Sequence, residues 1–414
     1  MTERRKLPAD YPLFVVSMLL FTLGILMVFD ASYATAGDMK MTGYDTWYFA
    51  KRQLAFGILG MAALYGMMRI RLEIVRRWSL PMLVCAVGLL VLVLVIGKES
   101  HGAVRWLGYG PLRFQPSEFA KLAVVLYMAA ALSGQKFRIR KPWPGMFVHI
   151  ALVLVLAALI MKQPDMGTAS VIVINAFVML FVAGAMKRHL VTVAAAAFGL
   201  AGVLVAIAPY RVARVLAFLN PEEDYLGRGY QVMHSLVALG SGGVFGQGFC
   251  EGREKFYLPA AQTDFIFPST VGEEAGLIGG LAVLALFLMF TYRGLSIASR
   301  AKSPYCTLLA AGLTSMVTAQ AVVNIAVVTA TMPATGVPLP FLSYGGSALL
   351  FSLMTAGLLL NVSRNIHAPA EAGARERDED NIDWGRDGWP HISRSQHGRG
   401  VSVRRPRGRP AVRR

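Results

Sequence analysis

Ser79-Leu80-Pro81-Met82-Leu83-Val84-Cys85-Ala86-Val87-Gly88-Leu89-Leu90-Val91-Leu92-Val93-Leu94-Val95-Ile96-Gly97 holds nineteen residues without one charged side chain. As a helix it would rise about 28 Å, close to the roughly 30 Å hydrocarbon core of a bilayer. Such runs recur, and ten spans are expected, at about 12–30, 53–68, 79–97, 117–134, 146–161, 168–186, 190–208, 277–292, 305–330 and 341–362. The 414 residues are 55% hydrophobic and 16% charged, whereas soluble domains carry about 25% charged residues. The fold class is therefore an all-α polytopic integral membrane protein with about ten transmembrane helices. A β-barrel is excluded, because it would alternate in segments of about 10 residues. The first run has no small-residue cleavage site behind it and reads as a retained span, not a signal peptide.

Outward from the spans, the connections alternate in charge. One set, including Arg69, Arg71, Arg76, Arg77, Lys136, Arg138, Arg140, Lys141, Arg293 and Arg300, has thirteen cations against one acid, Glu73. The other set has seven cations against five acids. Cytoplasmic loops are the cation-rich ones, so the first set faces the cytoplasm. An even number of spans puts both termini there, and Arg4, Arg5 and Lys6 agree. The net charge of +17 is then mostly cytoplasmic and calls for no nucleic acid. Residues 365–414 are polar and Arg-rich, with Arg404, Arg405, Arg407, Arg409, Arg413 and Arg414 near the end. They have too few apolar residues for a core, so a disordered tail attracted to anionic lipid headgroups, or docking a cytoplasmic partner, is expected. Residues 1–364 form the membrane domain.

One connection is long. Residues 209–276 form a large extracytoplasmic loop before the eighth span, and loops of that length usually have a role. Tyr230–Leu239 within it reads as a short amphipathic helix stopped at Gly240. Cys85, Cys250 and Cys306 show neither metal-ligand spacing nor a disulfide framework.

The unusual polar motifs all fall on the outer side. Pro116 suits a first helical position, Glu118 then lies in the first turn, and Lys121 shares its face. This is either a self-neutralising cap or a charged cavity wall. Asp165, in Lys162-Gln163-Pro164-Asp165-Met166-Gly167-Thr168, can cap the sixth span. Asp264 sits beside Phe265, Ile266 and Phe267; such neighbours desolvate a carboxylate and raise its pKa, which suits a general base near neutral pH. Glu273 and Glu274 precede the eighth span, where a helix N-terminus favours anions. Met332–Ser347 holds three prolines and three glycines before Ser347, too many for a regular helix. Irregular backbone at membrane depth needs protein or a water-filled cavity beside it. An outward-facing cavity is expected.

The ordered motifs Gln115-Pro116-Ser117-Glu118-Phe119-Ala120-Lys121, Gln163-Pro164-Asp165-Met166-Gly167-Thr168, Leu258-Pro259 with Thr263-Asp264-Phe265-Ile266-Phe267 and Gly272-Glu273-Glu274, and Pro338-Leu339-Pro340-Phe341 with Ser343-Tyr344-Gly345-Gly346 resemble the SEDS family (shape, elongation, division and sporulation). The resemblance spans about 12–364. Tyr48-Phe49-Ala50-Lys51-Arg52-Gln53 and Glu254-Lys255 lean toward its division branch, with an elongation or sporulation polymerase as the alternative. The resemblance implies a peptidoglycan glycosyltransferase that polymerises lipid II into glycan strands at the outer face of the cytoplasmic membrane. It also implies a class B penicillin-binding protein, a transpeptidase, as partner, beside other division proteins of the membrane. Asp264 matches the family's catalytic Asp. Glu118, Lys121, Asp165 and Arg105 match its outer-face positions, and Gln115, Thr263, Glu273, Glu274 and Ser343 lie in the same motifs as further substrate-binding candidates. Ala260 and Gln262 depart from a common Glu and His of the family, and His234-Ser235 from a common Gln-Ser pair.

What the resemblance implies is a single inverting displacement, with Asp264 as base and Lys121 and Arg105 offsetting charge on the leaving pyrophosphate. Cleavage by a carboxylate pair, as in glycosidases, is a different chemistry. No paired His and carboxylate cluster suggests a structural metal; a divalent cation bridging the pyrophosphate would need none. The rival readings are a lipid II flippase and a non-catalytic scaffold. A flippase predicts coupling charges near the midplane and an inverted repeat, whereas here the charges cluster at the outer surface.

Overall fold

The computed structural model describes residues 9–38, 43–100, 103–108, 113–134, 146–223, 227, 229–259 and 261–366. The expected basic tail lies outside the described residues beyond Ile366, as do Lys136, Arg138, Arg140, Lys141 and Ala260. All described residues belong to one compact unit, Met1–Ala368.

Among them are α1 (Tyr11–Asp38), α2 (Tyr48–Arg69), α3 (Leu72–Ile96), α4 (Pro116–Ser133), α5 (Phe147–Met161), α6 (Met166–Val182), α7 (Lys187–Ile207), α8 (Pro209–Leu219), α9 (Tyr230–Ser241), α10 (Gly276–Arg300), α11 (Pro304–Val328) and α12 (Gly346–Ile366). Each of the ten apolar runs falls on a helix. Seven of these helices are long and apolar enough to cross a membrane, namely α1, α3, α4, α7, α10, α11 and α12, while α5 and α6 are shorter apolar helices. The chain is a mostly helical, polytopic membrane protein.

The starts follow local chemistry. Pro116, Pro209 and Pro304 occupy first-turn positions, where a missing N–H is harmless. Asp165 and Ser303 cap α6 and α11 by accepting from Thr168 N and Cys306 N. The last span was expected from 341, but α12 begins at Gly346, because a turn bonded from Ser343 N to Leu339 O precedes it. The short helix expected to stop at Gly240 runs to Ser241. Two elements have no precursor in the sequence reading. One is α8. The other is an antiparallel hairpin of β1 (Lys98–Ser100) and β2 (Ala103–Trp106), whose strands are too short to display a period of two.

The core centres on α11, which packs on α4, α6 and α10, while α12 lies along α2. Close approach there depends on a small residue, as between membrane helices generally. A Cβ on Gly357 would lie 2.4 Å from the Leu64 carbonyl oxygen. α7 stands at the edge, against α6 and α8.

Polar groups gather at the two ends of the bundle. At one end Arg293 grips Asp10, Asp10 N donates to Ser363 Oγ at 3.0 Å, and Arg364 Nη1 donates to Met68 O at 3.1 Å. At the other, Lys255 Nζ lies 2.7 Å from Asp30 Oδ1 and 2.6 Å from Glu274 Oε1, all buried. Glu274 also accepts from Cys250 N and Gly252 N, and Glu273 accepts from Arg253 N and Glu254 N. Burial works against the Lys255 charge, but its hydrogen bonds to Asp30 and Glu274 hold its pKa above the ordinary value. This cluster staples the 250–255 turn to α1 and to the approach of α10.

Removing one partner of a buried ion pair costs about 3–5 kcal/mol. Lys255→Met therefore lowers the thermal midpoint of the purified protein by several degrees, and Lys255→Arg lowers it less; a melting curve in detergent checks both.

Candidate active site

Asp264 lies at the end of the long connection, just before a π-helical turn at Phe267–Gly272. Phe265, Ile266 and Phe267 are buried. As a residue Asp264 is half-buried, but its carboxylate sits deep among protein atoms. That desolvation pushes its pKa up from 3.8 to about 6; Arg105 pulls it down, Asp165 pushes it up, and Arg214 pulls it down.

The neighbours are held by backbone carbonyls. Arg105, on β2, donates Nε to Gln163 O at 3.2 Å and Nη2 to Pro164 O. Asp165 follows at once, its carboxylate accepting from Thr168 N at 3.1 Å and Thr168 Oγ1 at 2.9 Å. The expected helix cap therefore also fixes the carbonyls that Arg105 holds. Gly336 faces both charges, for a Cβ there would lie 3.5 Å from Asp264 Oδ2 and 3.8 Å from Arg105 Nη1. Its φ of +71° is one that only glycine adopts freely.

Below this runs a chain of polar contacts. Lys121 and Glu118 are buried and 2.8 Å apart, and Lys121 Nζ also donates to Gln320 Oε1. Gln320 Nε2 donates to Pro338 O at 2.8 Å. One helical turn along α11, Asn324 Nδ2 donates to Val337 O at 2.7 Å and to the Asp264 backbone carbonyl at 2.9 Å. Glu118 and Lys121 are thus connected to Asp264 through two amides and the Val337–Pro338 backbone. Sequence reasoning missed Gln320 and Asn324. The available signal was a pair of amides four residues apart in an apolar span, which puts both on one face.

Thr263 is half-buried beside Asp264. The Gln115 side chain donates to Ser117 Oγ, and its backbone N to Ser347 Oγ. Ser343 Oγ accepts from Leu339 N at 2.7 Å, and Ser343 O accepts from Gln53 Nε2 at 3.1 Å, so this serine braces the loop. Glu273 and Glu274 bond to the 250–255 turn and stand outside the Asp264 network. Desolvation raises both of their pKa values, and they lie before the first turn of α10. Of the residues that depart from the family pattern, His234 pairs with Glu254 and Gln262 O accepts from Tyr344 N, while Ser235, which keeps the family's serine, donates Oγ to Val328 O. Among the described residues, no group of three His, Cys, Asp or Glu side chains is placed to hold a metal ion.

The arrangement suits proton abstraction by Asp264 next to a developing negative charge. The family model for FtsW/RodA/SpoVE, described as cell cycle protein, matches residues 11–368. Stage V sporulation protein E of Bacillus subtilis (strain 168) is 44% identical over 369 residues, covering 88% of this chain and 99% of its own. A probable peptidoglycan glycosyltransferase FtsW of Trichlorobacter lovleyi is 41% identical, over 86% of this chain and 94% of its own. Among solved structures, a chain of a peptidoglycan synthase complex superposes with a TM-score of 0.73 at 30% identity, covering 87% of this chain and 99% of that one. The rod shape determining protein RodA of Thermus thermophilus gives 0.65 at 28% identity, over 87% and 98%. With a family match over most of its length and relatives this similar, the chain belongs to the FtsW/RodA/SpoVE (SEDS) family.

Proposed function

We propose that this chain is a peptidoglycan glycosyltransferase that polymerises lipid II into β-1,4-linked glycan strands for septal wall synthesis in cell division. The observation that carries the reading is the Asp264 carboxylate, desolvated to a pKa of about 6 and flanked across Gly336 by Arg105. A base of that pKa is mostly ionised at neutral pH yet more basic than an ordinary carboxylate. Relatives named FtsW and the Glu254-Lys255 pattern support the septal role.

The acceptor is the C4 hydroxyl of a GlcNAc. Its oxygen forms a bond to the MurNAc C1 of the donor, the C1–O bond to pyrophosphate breaks, and the hydroxyl proton passes to Asp264. The α linkage becomes β in one inversion, and undecaprenyl pyrophosphate leaves. Arg105, fixed by the Gln163 and Pro164 carbonyls, offsets charge on the departing pyrophosphate. Lys121 is itself bonded to Glu118 and Gln320, so it braces the Val337–Pro338 backbone and contributes its charge from behind. A divalent cation with the pyrophosphate is compatible with this scheme.

Ten helices cross the cytoplasmic membrane, both termini are cytoplasmic, and 209–276 lies outside with the site. The gathering of Asp264, Arg105 and Asp165 at the end opposite the Asp10–Arg293 pair supports that topology. A class B penicillin-binding protein crosslinks the strands, and the likeness to a chain of a peptidoglycan synthase complex supports such a partner.

Asp264→Asn removes the base without changing shape. Its strand synthesis from purified lipid II falls to background, while its thermal stability above about pH 6 is at least that of the wild type, because the desolvated charge raised the folded-state pKa from 3.8 to about 6 and so destabilises the fold once ionised. Wild-type activity falls as pH drops through about 6; a profile flat to pH 5 (roughly one unit lower) would remove Asp264 as base. Asn324→Leu frees two carbonyls and lets Asp264 drift, so polymerisation falls roughly a hundredfold in a protein that still elutes as a folded species.

A further inference from the structure

We propose that Arg214 on α8 is a further cationic residue of this site and binds the diphosphate of a lipid-linked substrate above the Ala334–Gly336 backbone. The proposal rests on the polymerase reading above and assigns to it a residue that no sequence motif marks.

Three consecutive residues carry the geometry. The Ala334 carbonyl accepts from Arg214 Nη1 at 3.0 Å. Thr335 Oγ1 is buried and has no hydrogen-bond partner among the described residues. Gly336 opens onto Asp264 Oδ2 and Arg105 Nη1. One short strip of backbone thus has a guanidinium at one end and a polar hydroxyl without a partner in its middle. A carboxylate and another guanidinium lie at its far end.

A cavity of about 760 Å³ lies beside the strip, lined by Pro209, Ala213 and Arg214 of α8, Tyr230 and Gln231 of α9, and Ala334. That volume falls in the range of about 300–1,000 Å³ used for small ligands. Among the described residues no carboxylate pairs with Arg214. The planar fork has five N–H donors, so the bond to Ala334 leaves donors for a phosphate, which guanidinium groups grip in bidentate fashion. A single cation in a wall whose other lining residues carry no charge suits a ligand whose charge is concentrated in one group. A lipid-linked disaccharide has that character, with its negative charge mainly in the diphosphate. The charged groups that act on the Asp264 carboxylate are Arg105 from β2, Asp165 at the start of α6 and Arg214 from α8. An anion held between the two arginines would therefore sit next to the base.

The test uses the full-length protein with its transpeptidase partner. It measures polymerisation against lipid II concentration for wild type, Arg214→Gln and Arg214→Lys, and inhibition by undecaprenyl pyrophosphate. Arg214 is exposed, so the variants fold, and unchanged melting curves check this. In Arg214→Gln, loss of a charge-assisted bond raises KM about tenfold or more and weakens undecaprenyl pyrophosphate inhibition by a similar factor. Its acid limb also moves to higher pH, because one of the two cations that lower the Asp264 pKa is gone. Arg214→Lys restores the limb but only part of the affinity. Wild-type KM and inhibition in an active Arg214→Gln protein would overturn the assignment, as would a fall in kcat with KM unchanged. A variant whose only change is its response to added phosphatidylglycerol overturns it too, since Arg214 would then serve a lipid headgroup. A wild type that makes no strands where a control polymerase does would sink the polymerase reading itself, and this inference with it.

Discussion

The side-chain amide of Asn324 joins two irregular segments that have no secondary structure to satisfy them. Between α11 and α12 the backbone is unwound, and in an apolar bundle each exposed carbonyl there needs a donor. Asn324 supplies one to Val337 O and another to Asp264 O, and Gln320, one turn away, supplies Pro338 O. Gln53 and Ser343 complete the loop. The position of the catalytic candidate therefore follows from the need to pair unwound backbone. Its carboxylate is placed by its own main chain, and that main chain is placed by a helix in the core.

The electrostatics build on this frame. Arg105, Asp165 and Arg214 act on one carboxylate from three different elements, and burial outweighs them all in setting its pKa. None of the three is close to Asp264 in sequence. Each is in turn anchored: Arg105 by Gln163 and Pro164, Asp165 by Thr168, and Arg214 by Ala334. Charges fixed in this way stabilise a developing charge with little reorganisation.

The sequence disclosed the helices well, because an apolar run of bilayer length has few other readings. It disclosed Asp264 for a related reason, as a carboxylate among phenylalanines is conspicuous. Caps at Asp165 and Pro116 were legible because they obey local rules. Long-range pairs were not. Glu273 and Glu274 read as ordinary helix-start acids, yet Lys255 lies 19 residues from Glu274 and Asp30 is 225 residues from Lys255. Gln320 and Asn324 were hidden for the opposite reason, since a neutral amide in an apolar helix has no charge to set it apart from its neighbours. Arg214 fell in a loop whose cations carry little topological information, and nothing local distinguished it from Arg211.

One ammonium serving two carboxylates at the Asp30, Lys255 and Glu274 cluster has a consequence for descent. Loss of Asp30 leaves a neutral pair, Lys255 with Glu274, and removes a carboxylate oxygen, Asp30 Oδ2, that has no partner among the described residues. Loss of Lys255 first leaves two buried negative charges together. Lineages can therefore leave this arrangement far more easily through Asp30 than through Lys255. Among relatives, a neutral residue at position 30 beside a retained lysine should be the common intermediate, and the reverse combination the rare one.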